Sequence, residues 1–137
     1  MIIFNSENDF TLKNSAKISS WIEEVINSNG FELLEINYIF CNDDYLNKIN
    51  IEFLQHDTYT DVISFDYSLG KQISGDIYIS TERVLDNTEK FKTTFDNELH
   101  RVMIHGVLHY MGYKDKTEKE KQVMRNKENN CLSYLKY

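Results

Sequence analysis

The sequence predicts an α/β (α+β) fold in a single domain, residues 1–137, with a small mixed sheet of mostly four strands packed with about five helices. Three observations predict this class. The chain of 137 residues has the size of one ordinary domain, and 41% of its residues are apolar, which is enough to build a core. Segments typical of strands alternate with amphipathic helical segments up to Ser80, and the rest of the chain has a helical pattern. No linker-like stretch interrupts it, so no domain boundary is expected.

The first half of the chain predicts a strand–helix–strand–helix order. Apolar residues recur from Ile18 to Ile26 at helical spacing, with Ser15 as the expected N-cap and Asn29-Gly30 as the stop. The strands on either side of this helix should pair in parallel, because a right-handed crossover joins them. The other expected segments are strands at 2–4 and 31–41 and a second helix at Asp43–Leu54.

The second half predicts a β-hairpin followed by three helices. Strands at 61–66 and 76–80 are separated by Ser68-Leu69-Gly70-Lys71, which has the residues of a turn, so these two strands should run antiparallel. Together with the parallel pair, this hairpin makes the sheet mixed. The helices are expected at 82–87, 95–111 and 117–135.

Composition limits the functions that the chain can have. A net charge of −7 argues against a broad basic surface, so any contact with nucleic acid must come from a local site. No apolar stretch reaches the length of a membrane span, and Asn5, Glu7 and Asp9 interrupt the apolar start too early for a signal peptide, so a cytoplasmic location is expected. Cys41 and Cys131 lack metal-binding spacing, which predicts reduced packing residues.

Two of the four histidines stand four residues apart on the predicted 95–111 helix. At about 100° per residue, His105 and His109 point in directions only about 40° apart, so their rings can converge on one ion. Gly112 can end the helix in a left-handed conformation and turn the chain back toward Asp115. Two imidazoles and a carboxylate leave one coordination position open, as a catalytic zinc site requires. The pattern predicts one Zn²⁺ per chain, held by His105, His109 and Asp115.

The same residues also allow structural interpretations. The two histidines could be core residues bonded to backbone carbonyls, and Asp115, between two lysines, could be a solvated charge or a helix cap. Glu98, two helical turns before His105 on nearly the same face, is a candidate to accept its ring N–H and orient it. Gly106 stands where an H-E-x-x-H metalloprotease carries its glutamate base, which disfavours proteolysis.

Three blocks of the sequence resemble one family. The stretch 98–115 looks like the signature of the YbeY family of metal-dependent endoribonucleases. Leu46-Asn47 with the stretch 56–65, and then the stretch 75–80, resemble the family's other two blocks in the same order. The resemblance implies an α/β domain with a small mixed sheet, a zinc ion held by three side chains of the helix-and-turn motif, and single-stranded RNA as substrate.

Two positions depart from the family's pattern. Asp115 stands where relatives usually have histidine, which lowers the net charge of a zinc centre by one and predicts a less acidified water. Leu54 stands where many relatives carry an arginine that contacts the RNA phosphate. The remaining candidates for phosphate contact are Arg101, about 40° from His105 in direction on the helix, and His56, at a basic position of the family.

The leading hypothesis is a zinc-dependent endoribonuclease that acts on single-stranded RNA in ribosomal RNA maturation, at the 3′ end of the small-subunit rRNA, and in ribosome quality control. Its expected partners are ribosomal RNA, the small ribosomal subunit and ribosome-associated factors. The alternative is a ribosome-assembly factor that acts by binding and holds a structural zinc ion; a metalloprotease comes third.

No protein general base is evident: Asp57 and Asp61 are interpreted as loop caps, and the charged run from Lys114 to Glu128 as a solvated helix face.

Overall fold

Strands and helices alternate in the first half of the chain, and helices alone follow in the second half. The computed structural model describes residues 1–54 and 60–135, with the side chain of Leu54 outside the described part. Within these ranges the elements are β1 (Ile2–Ser6), α1 (Ser15–Ser28), β2 (Glu32–Cys41), α2 (Asp43–Leu54), β3 (Val62–Asp66), β4 (Gln72–Ser80), α3 (Thr81–Phe91), α4 (Phe95–Tyr110) and α5 (Glu118–Ser133).

The strands form one mixed sheet in the order β1-β2-β4-β3. β1 and β2 pair in parallel, with Phe4 opposite Tyr38, and β2 and β4 also pair in parallel, with Tyr38 opposite Ile77. β3 pairs with β4 in the antiparallel direction. The predicted α+β class, the parallel opening and the hairpin are therefore confirmed. The sequence did not indicate that β4, rather than β3, lies next to β2.

Two element ends in the β3–β4–α3 region differ from the sequence prediction by more than one residue. β4 begins at Gln72 and not at residue 76. The hairpin is paired almost to its tip, because Leu69 and Gln72 form reciprocal backbone hydrogen bonds of 3.0 and 2.9 Å. Gly70 in this turn has φ 60°, a conformation that glycine adopts without strain. α3 continues past residue 87 to Phe91 and stops at Lys92, which has φ 52°.

The N-terminal ends of α1 and α5 are built differently. The prediction that Ser15 caps α1 is wrong: Asn14 holds the N-cap position, with φ 57° and no side-chain cap hydrogen bond, and Ser15 is the first helical residue. α5 begins with a capping box, in which Thr117 and Glu120 bond each other's backbone N–H groups. This box fixes where the last helix starts after the turn that follows α4.

α1 and α4 pack on one face of the sheet and form the main core with it. The predicted apolar stripe of α1 is confirmed, because Ile18, Ile22 and Ile26 are fully buried. Trp21 donates its indole N–H to the Cys131 carbonyl oxygen at 2.9 Å, which ties α1 to α5. The core therefore joins the sheet to the helices that surround the histidines.

α4 lies close against β4 at Gly106. A Cβ atom at this position would approach Ile77 Cδ1 to 2.8 Å, closer than side chains normally come. A glutamate at position 106 would therefore force the end of the Ile77 side chain out of its present position. The glycine that disfavours a metalloprotease in the sequence thus has a structural reason to be present.

The two cysteines and the lengths of the helices also bear on the sequence prediction. Cys41 and Cys131 are both free and buried, as expected for packing residues. Within the described ranges, no helix is both long enough and apolar enough to cross a membrane.

Candidate metal centre and its cleft

α4 carries both predicted metal-binding histidines and is anchored along its length. Thr94 caps its N-terminus, since its side chain accepts a hydrogen bond from the Asn97 N–H at 3.1 Å. The Tyr38 hydroxyl of β2 donates to the Met103 carbonyl oxygen at 2.9 Å. These contacts place the C-terminal turns of α4 in a fixed position relative to the sheet.

The chain reverses direction after α4. Gly112 has φ 100°, and Tyr113 N–H donates to the Leu108 carbonyl oxygen at 3.1 Å. This is the left-handed helix end expected at Gly112. The reversal returns Asp115 to the side of α4 where His105 and His109 lie.

Three side-chain atoms meet at this point. His105 Nε2 and His109 Nε2 are 3.0 Å apart, and Asp115 Oδ2 lies 3.1 Å from the first and 3.3 Å from the second. Ligands about 2.0–2.1 Å from a tetrahedral zinc ion lie about 3.3 Å from one another, so the donor set and its spacing fit this ion. Among the residues that the structure describes, this is the one group of His, Cys, Asp and Glu side chains close enough to hold a metal.

Each histidine uses its other ring nitrogen for a hydrogen bond that orients the ring. His105 Nδ1 lies 2.6 Å from Glu128 Oε2, and His109 Nδ1 lies 2.9 Å from the Tyr113 carbonyl oxygen. A carboxylate and a carbonyl only accept hydrogen bonds, so both Nδ1 atoms donate. In the neutral rings, each Nε2 therefore keeps its lone pair available for an ion.

The charged groups around His105 favour its protonated form. The extra proton would occupy Nε2, the same atom that would bind an ion. Burial by itself lowers the pKa of His105, but the hydrogen bond and charge of Glu128, with the charges of Asp115 and Asp61, raise that pKa above its ordinary value. Burial raises the pKa of Glu128, but its bonds with His105 and Arg101 hold it below the ordinary value. Metal binding to His105 is therefore coupled to release of a proton.

A cleft of about 310 Å³ opens beside the three atoms. Its walls come from the start of β3, the end of α3, and from α4, α5 and the turn between them. The charged residues of the walls are Asp61, Glu98, Arg101, His105, Asp115, Arg125 and Glu128. The cleft is therefore a charged site in which anionic and cationic groups lie close together.

Glu98 lines this cleft, but it does not have the role that the sequence analysis gave it. Glu128 of α5, and not Glu98, bonds His105 Nδ1. Two helical turns place Glu98 about 10 Å from His105 along the axis of α4, whereas α5 packs beside α4 and delivers Glu128 directly to the ring. Glu98 is buried, and this burial, with the nearby charge of Asp61, raises its pKa.

Arg101 also lines the cleft, but its guanidinium group is already bonded. It donates to Glu128 Oε1 at 2.9 Å and to Asn129 Oδ1 at 2.7 Å, and its side chain is 14% exposed. Arg101 therefore holds Glu128 in place, and its contact with a phosphate stays a prediction. His56, the other predicted phosphate contact, lies outside the described residues.

Glu128 is a residue of the site that sequence reasoning missed. It belongs to the charged run interpreted as a solvated helix face, yet it is 5% exposed. The available signal was spacing: Met124, Glu128 and Cys131 are the buried residues of α5 and recur at i, i+4 and i+7. An acidic residue on the apolar side of a helix indicates a buried partner.

Asp61 was interpreted as a loop cap, and the structure adds a second feature. Its carboxylate accepts a hydrogen bond from Asn87 Nδ2 at 3.3 Å, and its backbone carbonyl oxygen accepts one from the Ser80 N–H at 3.0 Å. The same carboxylate lines the metal cleft, where burial raises its pKa. Asp61 is thus both a loop-stabilising residue and part of the cleft wall.

The fold and this centre define a class of α+β proteins in which a helix and the turn after it present two histidines and an aspartate beside a charged cleft. The sequence model of the family described as Endoribonuclease YbeY matches residues 2–136. The chain belongs to the YbeY family, which confirms the resemblance found in the sequence.

Relatives and a solved structure agree with this assignment. The Endoribonuclease YbeY of Christiangramia forsetii is 57% identical over 127 residues, which cover 93% of this chain and 89% of the relative. That of Flavobacterium johnsoniae is 54% identical, with 97% of this chain and 96% of the relative covered. The solution structure of a Thermotoga maritima protein is similar with a TM-score of 0.70 and 28% identity, covering 97% of this chain and 87% of that protein.

Proposed function

We propose that this chain is a zinc-dependent endoribonuclease that cleaves single-stranded RNA in ribosomal RNA maturation, at the 3′ end of the small-subunit rRNA, and in ribosome quality control. The observation that carries the proposal is the triangle of His105 Nε2, His109 Nε2 and Asp115 Oδ2, with sides of 3.0, 3.1 and 3.3 Å. The substrate class comes from relatives 57% and 54% identical that are named endoribonucleases. Residues 1–137 would act as one cytoplasmic domain with ribosomal RNA, the small subunit and its associated factors.

Three side chains would hold the ion, and the residues around them set its properties. A zinc ion held by His105, His109 and Asp115 would be a Lewis acid able to acidify a bound water molecule and to neutralise charge on the reacting phosphate. Glu128 and the Tyr113 carbonyl keep the two rings oriented, so that both Nε2 atoms face the same point. Asp115 adds a negative charge, which makes the centre a weaker Lewis acid than one with three histidines.

The preference for unpaired RNA follows from the geometry of hydrolysis. In-line attack on a phosphodiester needs a backbone that can rotate into the required arrangement, and an A-form helix restrains that rotation. The net charge of −7 gives little long-range attraction to RNA, so binding must depend on the ion and on a few local cations. We therefore expect weak, short-range binding to single strands.

The direct test is to incubate the metal-loaded protein with single-stranded and duplex RNA of the same sequence, with and without chelator. We expect cleavage of the single strand, loss of cleavage with chelator, and recovery on addition of Zn²⁺. His109→Ala, purified in the same way, is the control for contaminating ribonuclease and should be inactive. Chelator-insensitive cleavage, or equal cleavage by His109→Ala, would contradict the proposal.

The other two hypotheses remain as outcomes of the same experiment. Tight RNA binding without cleavage, even when ribosomal subunits are present, would favour an assembly factor with a structural zinc ion. A metalloprotease is disfavoured by packing, because a glutamate at position 106 would collide with Ile77.

A further inference from the structure

The cleft beside the metal centre contains more negative than positive groups. Four carboxylates line it, whereas its described cations, apart from His105, are two guanidinium groups; the carboxylates are those of Asp61, Glu98, Asp115 and Glu128, and the guanidinium groups those of Arg101 and Arg125. A divalent ion would balance these charges when all of them are ionised. An RNA phosphodiester entering the loaded cleft would therefore be attracted by the ion and by an arginine whose charge is not already neutralised.

The two arginines differ in how much of their charge is available. The guanidinium group of Arg101 is bonded to Glu128 and Asn129 at 2.9 and 2.7 Å, and its side chain is 14% exposed. The side chain of Arg125 is 53% exposed, and its guanidinium nitrogen Nη1 lies 4.0 Å from Glu128 Oε1. That oxygen already accepts a hydrogen bond from Arg101. Of the two, Arg125 therefore has the guanidinium group that is not neutralised by a close partner.

The position of Arg125 on α5 keeps this group in the cleft. Its neighbours Met124 and Glu128 are both buried, so this turn of α5 is held against the body of the protein. From this turn the long Arg125 side chain lines the cleft together with Glu128. An arginine presents a planar fork of donors that matches a phosphate, which a point charge does not.

We propose that Arg125 binds the substrate phosphate in the metal cleft, an inference that rests on the proposed cleavage of RNA. Arg125 would donate through its guanidinium group to the non-bridging oxygens of a phosphodiester beside the three metal ligands. Arg125 would thereby supply a local cation in place of the arginine that many relatives carry at the position of Leu54. Arg125 belongs to the charged run from Lys114 to Glu128 that the sequence analysis interpreted as a solvated helix face, and only the docking of α5 on α4 places it in the cleft.

The test measures binding of a single-stranded, phosphorothioate-linked RNA oligonucleotide to zinc-loaded protein across a range of salt concentrations. Arg125→Gln should weaken binding by about tenfold or more, as expected for a lost charged hydrogen bond. It should also reduce the slope of log affinity against log salt by about 0.7, the value for one phosphate contact on a single strand. Arg125→Lys should keep most of the slope and lose part of the affinity, because the charge stays and the fork is lost.

The matched control is Lys121→Gln. Lys121 lies on the same helix, is exposed, pairs with Glu118 at 3.6 Å and does not line the cleft, so its removal changes the net charge equally. It should leave the salt slope unchanged. Zinc content and melting temperature should be the same in all variants, since neither residue is a predicted ligand. Equal effects of Arg125→Gln and Lys121→Gln would overturn the inference, as would an Arg125→Gln variant with wild-type affinity and slope.

The two proposals can fail separately in this design. A wild-type protein that does not cleave, but whose binding falls in Arg125→Gln and not in Lys121→Gln, would overturn the nuclease proposal and support the contact. A wild-type protein that cleaves RNA in a zinc-dependent way, while Arg125→Gln binds and cleaves identically, would overturn the contact alone. A wild-type protein that does not bind the oligonucleotide would overturn the Arg125 inference.

Discussion

The two sides of the metal centre are held in different ways. On the helix side, His105 is bonded to the carboxylate of Glu128, 23 residues away in sequence, and Arg101 in turn bonds Glu128. On the turn side, His109 is bonded to the backbone carbonyl of Tyr113, four residues away. The helix side therefore depends on buried charges and on the docking of two helices, whereas the turn side depends on local backbone geometry. Two ligands of the same type can be oriented by unrelated means.

The largest effect is expected from removing a ligand on the turn side. His109→Ala leaves one imidazole and one carboxylate, so zinc content should fall from about one equivalent to less than about a tenth. The melting temperature of the variant should be close to that of the chelated wild type, because the ion stabilises the folded chain by binding to it alone. Elemental analysis and thermal melts check both results, and full zinc occupancy in this variant would remove His109 from the centre.

The third predicted ligand gives the next effect. Asp115→Asn removes the charge and a good donor atom, so zinc affinity should fall by more than the ten- to hundredfold that is typical of losing an outer partner. Asp115→His should retain binding, because imidazole is a zinc ligand of the same class as its two neighbours. Competition with a chelator of known affinity measures both variants. Unchanged affinity in Asp115→Asn would mean that Asp115 is a solvated charge.

The helix side is tested by Glu128→Gln, with Glu98→Gln as its control. Loss of the charge on Glu128 leaves His105 less basic and Arg101 without an ionic partner, so zinc affinity should fall by about tenfold to a hundredfold and stability by about 1–3 kcal/mol. Glu98→Gln should leave zinc affinity near that of the wild type, since Glu98 is not bonded to His105. The opposite ranking in a chelator competition would return the orienting role to Glu98.

The turn side has its own test in Gly112→Ala, with Gly30→Ala as the control. Both glycines have positive φ, 100° and 80°, and an added Cβ would meet no atom within 4 Å at either site, so the cost is conformational in both. Each change should destabilise the fold by about 1–2 kcal/mol. Gly112→Ala alone should also weaken zinc binding, because it displaces Asp115. Equal zinc affinities in the two variants would show that Asp115 reaches the centre without this turn.

The smallest expected effect is a pH dependence of the metal-free protein. The raised pKa of His105 means that its protonation stabilises the folded chain; this contribution is fully present below the unfolded pKa and is lost as the pH rises through the folded value. The melting temperature of metal-free protein should therefore decline across that window. Glu128→Gln should flatten the decline, because the main source of the raised pKa is gone. A wild-type curve with no decline there would contradict the assigned charge pair.

Sequence reasoning recovered the parts of the site that depend on short stretches of chain. The convergence of His105 and His109 follows from the angle between residues of a helix, and Gly112 ended α4 as its lack of a side chain predicts. Two predictions were wrong at a single element end each: Ser15 was assigned as the N-cap of α1 instead of Asn14, and β4 was expected to start later than it does. At both ends, several neighbouring residues offer similar turn chemistry.

The sequence alone determined the fold class and the candidate ligands, because periodicity and spacing are properties of a single segment, and the resemblance of three sequence blocks indicated the family. Only the tertiary structure decided which residues surround the ligands. Glu128 rather than Glu98 bonds His105, and Arg125 enters the cleft, because α5 docks on α4 in one particular register. That register results from packing across the whole core, from Trp21 on α1 to Ile77 on β4, and no local pattern in the chain specifies it.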